Sequence, residues 1–229
     1  MTVEILSMPV AGYTAFSGTR FCLKANTQVF TSPLTGSVQT LELPGSRWVA
    51  TYTLPPMLRA DAEQWMAFLT RLNGRAGRFY AGDPPGAIPR GVAGGTPVVS
   101  GASQTGRTLY TDGWLGGPTG TGYGEGGYGE GGYGGPAVII LKAGDYVAWD
   151  TPSGWRELKK VTADVLLVPP PIAIPIMPPI RESPADGAAL ILLNATCVMA
   201  LAEDAEAEWE VDAAMHYHLK PFNAEEVFG

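Results

Sequence analysis

The sequence predicts a mainly β protein with one prominent α-helix: a β-sandwich-like domain carrying an inserted small β-barrel or sandwich. Three observations predict it. Only 16% of the 229 residues are charged, whereas 30 are Gly and 20 are Pro, a balance that favours short strands and turns over helices. Two-residue alternation of apolar and polar side chains recurs along the chain. A helical period stands out once.

That helical period lies between two strands. Trp48, Ala50, Tyr52 and Leu54 fall on one face of residues 48–54, and Arg47, Val49, Thr51 and Thr53 on the other, the pattern of a half-buried strand. Pro44-Gly45 reads as a hairpin loop joining it to 38–43. Pro55-Pro56 ends the strand. Leu58, Ala62, Trp65, Met66, Leu69 and Leu72 then recur at steps of three and four, which predicts a helix over 58–73. Gly74 is placed to cap it, and Arg71 and Arg75 suit the negative end of its dipole. Burying such side chains is worth about 1.5–3 kcal/mol each, so the helix is expected to pack on the sheet. Residues 78–81 read as the returning strand.

Upstream, residues 2–23 carry strand-like pieces broken by Gly12 and Gly18, and 27–30 and 37–43 follow. Downstream, the breakers at 82–86 and 89–95 form a linker. A second unit is expected over 93–194, with short strands at 108–111, 137–141, 146–149, 155–161, 165–168, 172–176 and 189–193. Its turns are Asp112-Gly113, Ala143-Gly144-Asp145 and Ser153-Gly154, and the proline runs at 169–171 and 178–179 are expected to stop strands. Regular short strands with such turns suggest a small barrel or sandwich. Residues 206–228 read as one or two strands and a tail, with Phe222, Val227 and Phe228 as an anchor. The chain thus divides into 1–92 plus 195–229, with 93–194 inserted.

The oddest stretch is 116–135. Tyr-Gly-Glu-Gly-Gly occurs at Tyr123 and again at Tyr128, then breaks off at Tyr133. Glycine offers nothing to bury and loses most backbone entropy on ordering, so this is a projecting loop. It is either a tolerated insertion at a loop tip or a tether presenting three tyrosines to a partner or a sugar.

Chemistry is sparse. The net charge of −7 argues against nucleic acid or an anionic membrane as partner. Cys22 and Cys197 read as reduced, buried thiols rather than a disulfide scaffold. No signal peptide is expected, and the apolar run 188–201, interrupted by Asn194 and Thr196, is too short for a membrane anchor. It reads as two buried strands. His216 and His218 share a strand face and could chelate a metal, but without a further ligand at suitable spacing they read as an exposed pair, and no metal is expected. No nucleophile elbow, phosphate loop or dinucleotide fingerprint occurs, so neither catalytic residues nor a cofactor are expected. Asp112 beside Trp114 and Asp145 beside Tyr146 are the candidate carboxylates for glycoside hydrolysis, though both read first as turn residues. Trp114, Trp149 and Trp155 with the loop tyrosines are candidate sugar-stacking surfaces.

Leu43-Pro44-Gly45, Trp48 and the helix around Trp65 and Phe68 resemble the distal tail protein of long-tailed bacteriophages. Further runs resemble the middle region of phage and prophage tail-tip proteins: Gly101-Ala102-Ser103-Gln104-Thr105-Gly106, Thr111-Asp112-Gly113-Trp114, Leu141-Lys142-Ala143-Gly144-Asp145-Tyr146 and Pro179-Ile180-Arg181-Glu182-Ser183-Pro184-Ala185-Asp186. The resemblance covers about two-thirds of the chain and consists of turns and core. It implies a non-enzymatic virion component whose β-domain forms a hexameric ring of identical copies. That ring would contact the tail tube protein on one side and the hub and fibre proteins on the other. A carbohydrate- or receptor-binding protein of the tail tip, and a hydrolytic enzyme there, are the alternatives.

Overall fold

The computed structural model describes residues 4–9, 16–116, 138–204 and 208–228. With 47% of the protein in strands and 10% helical, it is mainly β around a single α-helix, and one sheet curls into half a barrel. Two compact units divide the chain: Met1–Phe79 with Met199–Val227, and Tyr80–Val198 with Phe228–Gly229.

The first unit opens with β1 (Ile5–Ser7), β2 (Gly18–Lys24), β3 (Thr27–Thr31), β4 (Val38–Glu42) and β5 (Arg47–Thr53), then α1 (Arg59–Leu72) and β6 (Arg78–Ala81). The second contains β7 (Ala93–Val99), β8 (Gly106–Gly116), β9 (Ile139–Leu141), β10 (Tyr146–Asp150), β11 (Arg156–Val161), β12 (Val165–Leu166) and β13 (Ile172–Ile180). The chain closes with β14 (Cys197–Leu201), β15 (Trp209–Val211), β16 (Tyr217–Leu219) and β17 (Phe222–Glu226).

A six-stranded sheet in the order β1-β6-β14-β17-β5-β2 carries the first unit. The alternation read in β5 holds: Trp48, Ala50 and Tyr52 are buried and the residues between them are half-buried. Against that buried face lies α1, contributing Ala62, Trp65, Phe68, Leu69 and Leu72. Its rings meet those of the sheet tilted or edge-on, Trp65 to Phe222 at 6.1 Å and Phe68 to Phe79 at 5.6 Å, the geometry aromatic quadrupoles favour. Leu58 is exposed and sits ahead of the helix instead of in its stripe. α1 ends on Asn73 at φ 50°, and the expected Gly74 follows it, also left-handed at φ 63°.

The expected hairpin through Pro44-Gly45 is not formed. β5 has both edges occupied, by β2 and by β17, so β4 pairs with β3 instead. Asn26 holds the base of that ribbon, its Nδ2 donating to the Pro44 carbonyl at 2.6 Å.

In the second unit the main sheet runs β10-β11-β13-β8-β7. Its core gathers Leu109, Ile140, Val147, Trp149, Ile172 and Ile174, among others. Three expectations are corrected here. Asp112-Gly113 is not a turn but part of the eleven-residue β8. A register shift faces it across the β7 pairing, between Gly95 and Val98. A Cβ on Gly113 would lie 2.4 Å from the Thr96 carbonyl oxygen, and φ there is +76°, so only glycine lets the two strands close. Pro178-Pro179 does not end its strand, since β13 continues to Ile180. Residues 189–193 form no strand, only isolated bridges from Ala189 to Val98 and from Ile191 to Ala148. Cys22 and Cys197 are free thiols, and among the described residues no helix is long and apolar enough to cross a membrane.

Candidate functional site

Asp145 is buried at 3% exposure. Its carboxylate accepts the backbone N–H of Lys142 at 2.8 Å and of Gly91 at 3.3 Å, with both the N–H and Nε of Arg90 at 3.1 and 3.2 Å. Such a carboxylate has its lone pairs engaged in tying the 90–91 segment to the β9–β10 turn, which is structural work. The adjacent Tyr146 donates from its hydroxyl to Asp83 Oδ2 at 2.9 Å. Burial, then the Asp83 carboxylate, pushes the phenol pKa well above its ordinary value. Asp112 is half-buried within β8.

The aromatic candidates fare differently from one another. Trp114 is not a surface platform: its ring belongs to the core of the second unit and its Nε1 donates to Thr111 Oγ1 at 2.8 Å. Trp149 is fully buried. Trp155 is half-buried ahead of β11, its backbone N–H held by Thr151 Oγ1 at 3.2 Å. Tyr123, Tyr128 and Tyr133, with nearly all of the 116–135 loop, lie outside the described residues.

His216 and His218 converge on a carboxylate that sequence spacing did not single out. His216 Nδ1 and His218 Nε2 lie 3.2 and 3.3 Å from Asp212 Oδ2. The same carboxylate accepts the His216 and Ala214 backbone N–H groups at 2.9 and 2.8 Å. These bonds, the His216 N–H first, hold the Asp212 pKa down to about 2. Asp212 therefore closes the β15–β16 turn, and among the described residues no group of three His, Cys, Asp or Glu is placed to hold a metal ion.

A buried ion pair was also missed. Lys159, fully buried on β11, meets Glu157 at 2.6 Å and donates to the Pro179 carbonyl at 2.9 Å. Glu157 in turn accepts the Glu182 backbone N–H at 2.7 Å. Lys159 thereby satisfies a carbonyl in the proline-rich end of β13. Local sequence reads Arg156–Val161 as a polar strand, and nothing nearby signals the partner.

What remains, after these groups are accounted for, is a surface. β3 and β4 form a two-stranded ribbon that pairs with no third strand among the described residues. Every residue of both strands is exposed. Val29 and Val38 project from one face and Phe30 and Leu41 from the other, by the pairings Thr31 with Val38 and Gln28 with Leu41. All four are at least 59% exposed, and Leu34 at the tip is 94% exposed. No family model matches the chain, and no curated protein is significantly similar to it. An isolated hairpin is marginally stable in water, and an apolar ribbon with open edges is a template for pairing with another chain. It is the candidate functional surface.

Proposed function

We propose that the protein is a structural component of a phage tail tip, whose copies assemble into a ring that joins the tail tube to the hub and receptor-binding proteins. In the family its sequence resembles, that ring has six members, and the protein would reside in the virion after synthesis in the host cytoplasm. The observation that carries the reading is the β3–β4 ribbon, apolar on both faces and, among the described residues, open on both edges. Nothing among the described residues covers five large exposed apolar side chains on sixteen residues. Another protein surface does.

Charge supports a second copy as that surface. Each chain carries −7, so copies repel one another over most of their surface. Residues 25–41 contain no charged side chain, which makes the ribbon a place where like-charged copies meet without penalty. An interface of ordinary size buries about 800 Å² per partner, and head-to-tail contacts close into rings.

Light scattering with electron microscopy of the purified protein tests the reading. Annular particles, several times heavier than the 24.1 kDa chain, are expected. A protein that stays monomeric at high concentration overturns it.

A further inference from the structure

The sheet of the first unit has two unlike faces. One is covered by α1. The other presents Arg20, Cys22 and Lys24 of β2, Val49 of β5 and Glu225 of β17 around a depression of about 280 Å³, with Arg47 opposite Lys24 in the β2–β5 register. Lys24 and Arg47 share Glu225, at 3.5 and 3.7 Å. Arg20 is exposed and makes no ion pair among the described residues. Arg20 and Lys24 thus line the depression beside a single carboxylate, Glu225, in a chain whose balance is acidic.

The opposite pole lies in the same unit. Residues 203–212 include six acidic side chains and no basic one. Along β15, Glu208, Glu210 and Asp212 fall on one face, alternating with Trp209 and Val211. Among the described residues Lys220 is bonded to Glu208 and lies 3.9 Å from Glu210, and His216 and His218 lie against Asp212. β15 pairs with β16, and β16 is tied to Met57, just ahead of α1, by the Tyr217 N–H to the Met57 carbonyl at 2.9 Å. The acidic stripe thus belongs to the helix side of the unit and the basic groove to the opposite face of the sheet.

We propose that the open sheet face around Arg20, Lys24 and Arg47 receives the Glu208–Glu210–Asp212 stripe of a second copy, joined head to tail. The claim deepens the ring reading and rests on it. Lengths agree: Arg20 to Lys24 and Glu208 to Asp212 are each four residues of extended chain, about 13 Å. The apolar floor of Cys22 and Val49 gives the contact a dry centre inside a charged rim, the usual anatomy of an interface. Because the groove and the stripe are different surfaces, the contact is heterologous and repeats from copy to copy.

Sedimentation velocity on the full chain tests this with the double variants Arg20→Glu/Lys24→Glu and Glu208→Lys/Glu210→Lys. Circular dichroism confirms that each is folded. Each variant alone is expected to associate at least about a hundredfold more weakly than wild type, since like charges then face each other. Mixed in equal amounts they regain assembly, because each face made acidic meets a stripe made basic. Wild-type association also weakens with salt, as screening shortens from about 10 Å at 0.1 M to about 3 Å at 1 M; this readout needs no variant. If wild type assembles but a folded variant does so equally well, the mixture fails to recover, or salt has no effect, this contact is overturned while the ring stands. A wild-type chain that is monomeric throughout removes both.

Discussion

β11 and the β3–β4 ribbon invert the usual relation between polarity and burial. Four of the six residues of β11 are charged, yet the strand is mostly buried. Among the ten residues of β3 and β4 only Glu42 is charged, yet all are exposed. The difference lies in where partners are found. Glu157 and Lys159 satisfy each other and three backbone groups of the 179–182 segment, so the chain completes that region by itself. Val29, Phe30, Val38 and Leu41 have no such completion among the described residues. A buried charge needs its partners in hand, whereas an exposed apolar ribbon makes sense when its partner is another chain.

The largest expected effect comes from breaking the self-sufficient region. Lys159→Ala leaves the Glu157 carboxylate and the Pro179 carbonyl without their shared donor in the interior. Removing one member of a buried pair costs about 3–5 kcal/mol, to be read from urea unfolding. A loss under about 1 kcal/mol would mean that water reaches Glu157 and that β11 is not completed from within. Next in size is Gly113→Ala. Both the positive φ and the 2.4 Å approach to Thr96 forbid a side chain there, and forced backbone strain of this kind costs about 1–3 kcal/mol. Trp114 fluorescence reports whether its ring leaves the core, which a purely entropic change would not cause.

How much of this was legible in sequence follows the same division. The faces of β5 and the stripe of α1 were, because period alone decides which side is buried and a strong period leaves little choice. The strand partners were not. β5 pairs with β17 across some 170 residues, Tyr52 opposite Phe222, and no local pattern encodes such a match. That is why Pro44-Gly45 read as a hairpin loop. Lys159 was missed for a related reason, since its acceptor lies twenty residues away on Pro179. The ribbon was legible as strand but not as surface: Val29 and Phe30 look like core until the fold leaves nothing opposite them. The histidine pair was half seen, its convergence on Asp212 depending on a turn that spacing did not announce.

A smaller effect on stability, and a larger one on association, is expected from Phe30→Ser/Leu41→Ser. Both side chains are already in water, at 64% and 59% exposure, so unfolding of the monomer shifts by no more than about 0.5 kcal/mol. The assembled mass by light scattering falls. If instead the variant loses stability and keeps its mass, the ribbon is packed within its own chain and the contrast with β11 disappears.

The smallest effect sharpens the comparison by setting one exposed hairpin against the other. The β15–β16 turn is held by a polar device, Asp212 accepting from Ala214, His216 and His218, while the β3–β4 ribbon has no carboxylate at its tip. Asp212 has its pKa lowered from 3.8 to about 2. A carboxyl depressed in the folded state contributes stability that is present above the unfolded value and is lost as pH falls through the folded one. Acidification between 3.8 and about 2 is therefore expected to loosen the β15–β16 turn and leave the β3–β4 tip unchanged. Amide shifts of Ala214 and His216 followed by NMR should titrate in that window, and Asp212→Asn should abolish the response. A midpoint near 3.8 would mean that the three donors do not hold the carboxylate in solution, and that both hairpins depend equally on contacts from outside their chain.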